Sequence, residues 1–175
     1  FLSLLYYPRV NPFLDEFSYL AQGYHLDLLL AGDRDNPLWL AFPAIDQPPL
    51  EKYVVGLSLR AQGWPRFRPA VAMAWHRDNN LRIGTFEMLR AVRWPSLVFG
   101  AIGCSALFAI GTMIGGRWLG LAAAGLLAVN PLYRLQAHLA VNDVPNEALI
   151  LVAPACGLWA WSRPLPPGGD WLAVL

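Results

Sequence analysis

The feature that most constrains this chain is a run of 21 residues without a charge, Trp94–Ile114. A helix rises about 1.5 Å per residue, so about 20 apolar residues cross the hydrocarbon core of a bilayer. The Gly and Ala residues of the run also suit close packing of helices in lipid. We therefore predict a transmembrane helix over about 94–114.

Two further apolar segments and the start of another follow this helix. We predict transmembrane helices over about 118–135 and 144–162, and a fourth from residue 171 onward. Several spanning helices joined by short turns are typical of an all-α, polytopic membrane bundle. Residues 94–175 are thus predicted to form the membrane domain.

The charged residues are concentrated in the front half of the chain. Residues 1–93 hold 19 of the 25 Asp, Glu, Lys and Arg residues. A hydrophobic content of 56% excludes a disordered chain, and a net charge of +1 offers no broad surface for nucleic-acid phosphates. Cys104 and Cys156 stand in apolar runs, where we interpret them as small hydrophobic residues.

The front half carries two apolar stripes at helical spacing. The first consists of Phe17, Leu20, Ala21, Tyr24 and Leu28. The second consists of Leu50, Tyr53, Val54, Leu57, Ala61 and Trp64, with Glu51, Lys52, Arg60 and Gln62 on the other face. We predict that residues 1–93 form the first outer loop, with amphipathic juxtamembrane helices that lie along the membrane surface.

The short loops set the predicted orientation. Gly115–Arg117 and Arg163–Asp170 each contain an Arg, which favours the cytoplasm by the positive-inside bias. Residues 1–93 and the turn at 138–143 then share the outer face of a plasma (inner) membrane. The chain begins without Met and ends inside an apolar run, so we expect it to be part of a longer membrane domain.

This topology brings ionisable side chains from distant positions to one membrane surface. Such residues at the edge of an apolar bundle are costly and tend to be functional. The alternative is local: Asp15 and Glu16 can open a helix, and Asp143 can cap one. Asp143 and Glu147, one turn apart, are also the candidate ligands of a divalent cation. The side chains brought together are Asp15, Glu16, His25, Asp46, Lys52, Arg134, His138 and Asp143.

Five motifs, in order, resemble those of a known family. They are NPFLDEFSYLAQG, DQPPLEKYVVGL, Arg93-Trp94-Pro95-Ser96, the Gly116-Arg117 turn, and LAAAGLLAVNP followed by Asp143. The series resembles GT-C glycosyltransferases, and most closely family 39. That family contains the dolichyl-phosphate-mannose–protein mannosyltransferases and the aminoarabinose lipid A transferases. The resemblance covers most of residues 11–160 and implies a GT-C membrane bundle.

The resemblance also implies a reaction. A sugar moves from a polyprenyl- or dolichyl-phosphate donor to a hydroxyl of a protein, lipid or glycan acceptor, and Asp15, beside Glu16, is the general base. A single base fits an inverting displacement. The phosphate leaving group calls for a cation, and Lys52 is preferred over Arg93 and Arg134 as the only lysine. Asp46, His138 and Asp143 are the remaining candidates for substrate binding.

Two other functions stay open from the residues. A non-catalytic polytopic protein, such as a transporter or an assembly scaffold, is the alternative from another class. A lipid-linked oligosaccharide transferase would need a second acidic motif and a metal. No cofactor is firmly implied beyond an optional divalent metal ion.

Overall fold

The computed structural model describes residues 13–40, 49–65 and 86–163. Its regular elements in these ranges are helical, which confirms the predicted all-α class for this part of the chain. Two short 3₁₀ segments, Gln22–Tyr24 and Pro37–Leu40, lie among the α-helices. The α-helices are α1 Leu14–Ala21, α2 His25–Ala31, α3 Pro49–Ala61, α4 Phe86–Gly115, α5 Arg117–Val129, α6 Pro131–Ala137 and α7 Asp143–Trp161.

The longest helix, α4, carries the charge-free run and extends it toward the N-terminus. It has 30 residues and begins at Phe86, so it crosses the boundary that we predicted between residues 93 and 94. Arg93 therefore lies within a continuous helix rather than at the end of a loop. The polar front and the apolar rear share this helix as a common support.

Two described helices are long and apolar enough to cross a membrane: α4 from Glu87 to Gly115, and α7. The pair α5 and α6 qualifies as a third if its bend of 68° belongs to one span. Large apolar side chains such as Leu126 and Ile150, 71% and 70% exposed, point away from the protein, as expected for lipid contact. The predicted fourth span, from residue 171, lies outside the described residues.

The turn between α4 and α5 depends on glycine. Gly116 adopts a φ of 82°, a conformation that side chains with a Cβ rarely adopt. Farther along the hairpin, a Cβ on Gly111 would lie only 2.8 Å from the Cα of Gly120. The two helices therefore approach backbone to backbone, as small residues allow in membrane bundles.

The predicted helix over 118–135 is divided in the structure at Asn130. The Asn130 side-chain oxygen accepts hydrogen bonds from the backbone N–H groups of Leu132 and Tyr133, at 2.9 and 3.0 Å. Pro131 follows as the first residue of α6, a favoured place for proline after an N-cap. The cap and the proline together end α5 and start α6 in a new direction.

Helix α2 packs on α3, and α1 and α3 pack on the N-terminal part of α4. Most of the first predicted stripe faces this packing: Leu20, Ala21 and Tyr24 are buried. A shared apolar core joins α1, α3 and the N-terminal part of α4 to the segment between α6 and α7. Its buried members are Tyr19, Leu20, Val55, Leu59, Met88, Leu89, Val92, Leu139, Ala140 and Val141.

Candidate functional site

A buried ion pair joins the first helix to the long one. Glu16, in the first turn of α1, is 0% exposed, and Arg93 of α4 is 3% exposed. The Arg93 Nε–H donates to Glu16 Oε1 at 2.7 Å, and an Nη2–H donates to Oε2 at 2.6 Å. This bidentate geometry is the strongest and most directional form of an Arg–carboxylate contact. It holds α1 against α4 across 77 positions of sequence.

The same carboxylate accepts two backbone hydrogen bonds. Ala140 N–H, between α6 and α7, donates to Glu16 Oε1 at 2.7 Å. Phe13 N–H, at the start of α1, donates to Oε2 at 2.9 Å. Four donors occupy the roughly four acceptor sites of a carboxylate. Glu16 is therefore the joint at which α1, α4 and the α6–α7 segment meet.

Asp15 is placed differently from its neighbour. It is exposed on the surface of α1, whereas Glu16 points into the protein. Successive residues of a helix differ by about 100° in direction, so one member of an adjacent pair can be buried while the other faces outward. The predicted role of Asp15 and Glu16 in opening a helix is also seen, because both lie in the first turn of α1.

Tyr19 marks the place where α1 reaches the start of α7. Its hydroxyl donates to Asn142 Oδ1 at 2.7 Å. Burial, and then the negative charges of Asp143, Glu51 and Asp15, raise the pKa of Tyr19 to about 12. The phenol therefore stays protonated at neutral pH and keeps this hydrogen bond. Three carboxyl groups from three separate segments lie within electrostatic range of one hydroxyl.

Helix α3 turns its charged N-terminal residues inward. Glu51 and Lys52 are 1% and 4% exposed, whereas Leu57 of the apolar stripe is 59% exposed. Arg60 and Gln62, which we predicted to share the polar face, are exposed. An outward apolar stripe is unfavourable in water but suits contact with lipid. The structure thus leaves Glu51 and Lys52 facing the protein, and the interfacial position of the helix stays a prediction.

Glu51 is a buried acid in an apolar setting. Among the described residues, neither of its carboxylate oxygens has a hydrogen-bond partner. Burial raises its pKa to about 8, because a carboxylate loses its hydration there. Glu51 is therefore mostly neutral at pH 7 and can act as a proton donor.

His25 contacts two aromatic rings, one of them from the Pro37–Leu40 segment, and lies within electrostatic range of Lys52. The His25 ring stacks on Tyr24 with centroids 4.2 Å apart and lies 5.8 Å from Trp39. His25 Nδ1 is 2.9 Å from the Gln22 carbonyl oxygen, which assigns the ring proton to Nδ1. Burial lowers the pKa of His25, and the charge of Lys52 lowers it further. Histidine is thus neutral beside a buried cation.

The α6–α7 side holds the other predicted residues. His138 is buried, and its Nδ1 bonds to the carbonyl oxygen of Arg134, which is half-buried. Asp143 is exposed and accepts a hydrogen bond from Gln136 Nε2 at 3.2 Å. It is the first residue of α7, and Asn142 occupies the N-cap position where we predicted Asp143. The N-cap therefore lies one residue before the position that we predicted.

Asp143 and Glu147, the candidate ligands of a divalent cation, have no third ligand among the described residues. Glu147 lies half-buried one turn after Asp143 on α7. In the part of the chain that the structure describes, no three His, Cys, Asp or Glu side chains are arranged to hold a metal ion. Asp46, the remaining predicted site residue, lies outside the described residues.

Sequence reasoning missed Tyr19, Asn142 and Glu51 as members of this site. Tyr19 follows Asp15 by four positions, a spacing that places both on one helix face and that was the available signal. Comparison of the chain with protein-family models, curated proteins and solved structures found no match.

Proposed function

We propose that the chain is the catalytic part of a membrane-embedded glycosyltransferase of GT-C type. It moves a sugar from a polyprenyl- or dolichyl-phosphate donor to a hydroxyl acceptor, by inverting displacement, at the outer face of the membrane. The observation that carries the proposal is the position of Asp15. It is exposed beside the fully bonded Glu16 and within electrostatic range of the same tyrosine as Asp143.

A rigid mount for Asp15 supports its role as general base. A base acts only within hydrogen-bond reach of the proton that it removes, so its position must be fixed. Glu16, one residue away, is held by Arg93, Ala140 and Phe13. In this proposal Glu16 and Arg93 are positioning residues, and Asp15 contacts the acceptor.

The reaction consists of one displacement. The acceptor oxygen bonds to the anomeric carbon of the sugar while the bond from that carbon to the phosphate oxygen breaks. The electron pair leaves with the polyprenyl phosphate, and the hydroxyl proton moves to Asp15. Because Asp15 is the single base, with no carboxylate nucleophile, the configuration at the anomeric carbon inverts.

The leaving phosphate needs positive charge close by. Lys52 supports this role because it is buried on α3, within electrostatic range of His25. Arg134 is the second candidate, since it is half-buried at the α6–α7 side. Arg93 already uses Nε and Nη2 to hold Glu16, which favours a positioning role for it over phosphate binding.

The test compares two aspartates. Full-length protein in liposomes is given a labelled polyprenyl-phosphate sugar, and product formation is measured for wild type, Asp15→Asn and Asp35→Asn. Loss of a general base lowers turnover by about 10²- to 10⁴-fold, so Asp15→Asn should fall by that factor. Asp35 is exposed in a turn, and Asp35→Asn should match wild type. Equal turnover by all three proteins excludes Asp15 as the base.

A non-catalytic polytopic protein is the second candidate. The Glu16–Arg93 pair favours it, because two of the predicted site residues are bonded to each other as a structural joint. A scaffold would lose its cellular function on Glu16→Gln and keep it on Asp15→Asn. An enzyme loses it on both changes.

A further inference from the structure

A cleft lies apart from the Asp15 site, where the end of α3 meets the beginning of α4. It encloses about 450 Å³, within the range of small-molecule sites. Its walls are the side chains of Trp64 and Gln62 after α3 and of Glu87, Arg90, Trp94 and Leu97 on α4. The four α4 residues recur every three or four positions, so they form one face of the helix.

The position of this cleft along α4 places it at a membrane surface. The part of α4 that is long and apolar enough to cross a membrane begins at Glu87 and continues to Gly115. From Glu87 to Leu97 the helix rises about 15 Å. This distance covers the headgroup layer, about 5–8 Å thick on each side, and the upper part of the hydrocarbon core. The polar residues therefore lie at headgroup level, and Leu97 lies at the level of acyl chains.

The succession of charged, aromatic and apolar side chains along this face of α4 matches the layers of a phospholipid at a membrane surface. Along α4, Glu87 and Arg90 carry opposite charges at one end of the cleft, Trp94 comes next, and Leu97 lies at the other end; Trp64 lines the cleft from the side of α3. Arg binds phosphate oxygens through its fork of N–H groups. Tryptophan prefers the membrane–water interface because its ring is apolar and its indole N–H is polar.

The wall opposite α4 is held in place. Gln62 Nε2 donates to the Ala91 carbonyl oxygen at 2.9 Å, and Ser58 Oγ bonds to the same oxygen. Ala91 is 3% exposed, so this contact forms the floor between the two helices. The spacing between Trp64 and Trp94 is therefore set by the fold.

We propose that this cleft binds a phospholipid whose headgroup carries both a phosphate and a primary ammonium, with Arg90 on the phosphate and Glu87 on the ammonium. A carboxylate accepts hydrogen bonds, which a primary ammonium donates and a quaternary ammonium does not. Glu87 therefore favours phosphatidylethanolamine over phosphatidylcholine. An anionic headgroup without an ammonium would bring a negative charge close to Glu87, which disfavours phosphatidylglycerol.

Native mass spectrometry of the full-length protein tests this binding. The protein is equilibrated with equal amounts of palmitoyl-oleoyl phosphatidylethanolamine, phosphatidylcholine and phosphatidylglycerol, and the retained lipids are counted. Wild type should retain phosphatidylethanolamine about three- to fivefold over the other two, as expected for partly exposed ion pairs. Glu87→Gln should remove the preference over phosphatidylcholine, and Arg90→Gln should lower retention of all three lipids. Arg117→Gln, at the other end of the α4–α5 hairpin, is the control and should behave as wild type.

Several results would overturn the proposal. Equal retention of the three lipids by wild type means that the protein does not distinguish their headgroups. An unchanged preference in both Glu87→Gln and Arg90→Gln means that the headgroup is recognised at another site. Retention of no lipid by wild type means that the cleft is not a lipid site. Unchanged helix content by circular dichroism ensures that a loss in either variant is not unfolding.

Discussion

The carboxylate of Glu16 accepts two hydrogen bonds from the guanidinium of Arg93, at 2.6 and 2.7 Å, in a place closed to solvent. Ala140 adds a third donor from a segment 124 positions away. Three parts of the chain that are remote in sequence are thereby fixed to one side chain. The exposed Asp15 next to it takes its position from this joint.

Removing one partner of this pair should destabilise the protein strongly. Glu16→Ala leaves the Arg93 guanidinium buried without its counter-charge, and Arg93→Ala does the same to the Glu16 carboxylate. Each change should lower the free energy of unfolding by about 3–5 kcal/mol. The double variant should lose less than the sum, because the uncompensated charge is gone. Thermal unfolding in detergent measures all three against Asp15→Asn, which is exposed and should lie within about 0.5 kcal/mol of wild type. Additive losses would argue against the pair.

Glu51 should make stability fall as pH rises. Its pKa rises from an ordinary 4.5 to about 8 in the folded protein, so between these values the folded state holds a proton that the unfolded state has lost. The contribution is fully present below pH 4.5 and is lost as pH rises to about 8, at up to about 1.4 kcal/mol per pH unit.

Glu51→Gln provides the test of this pH dependence, because it keeps the shape and removes the titration. The slope of unfolding free energy against pH should flatten over this window. Gly125→Ala, where a Cβ meets nothing within 4 Å and no titratable group is removed, is the control and should keep the wild-type slope. The same slope in Glu51→Gln as in wild type would contradict a buried, neutral Glu51.

Gly56 should not accept a side chain. A Cβ there would overlap the carbonyl oxygen of Gly23 and lie 2.6 Å from the Cβ of Leu26, so α3 would have to move away from α2. We expect Gly56→Ala to cost about 1–3 kcal/mol. Gly125→Ala, where a Cβ meets nothing within 4 Å, should be neutral or stabilising by up to about 1 kcal/mol. Chemical unfolding of both variants measures the difference, and equal stabilities would exclude the close helix contact.

The two ends of α7 should lie on opposite sides of the membrane. α7 has 19 residues and rises about 28 Å from the Asp143 end to the Arg163 end. In a background without Cys104 and Cys156, Asp35→Cys should react with an impermeant thiol reagent on intact cells, and Arg163→Cys should react only after permeabilisation. The reverse pattern would overturn the orientation predicted from the short loops.

The helices of the rear half follow closely from the sequence. A run of 21 residues without charge allows only a helix in lipid, because every backbone polar group must be bonded within it. Gly116 and the Asn130-Pro131 pair are local stop and start signals, and the structure turns or bends at both. What the sequence left ambiguous was whether 118–135 continues through Asn130, since the apolar character persists on both sides.

The site was predictable only as a set of side chains at one surface. The pattern of α3 shows that it is amphipathic, but it does not say whether lipid or protein faces the apolar stripe. The fold places Glu51 and Lys52 inside and leaves Leu57 exposed. In water the same pattern would indicate the opposite arrangement.

The sequence by itself determined that this chain is helical and where its apolar helices lie, and it left the opening of a helix by Asp15 and Glu16 as an alternative. Only the tertiary structure decided that Glu16 is buried and Asp15 exposed, because the difference depends on Arg93 and Ala140, 77 and 124 positions away. Local patterns fix which residues form a helix. Which of two adjacent carboxylates becomes structural depends on which one finds buried donors, and those donors are brought together only by packing.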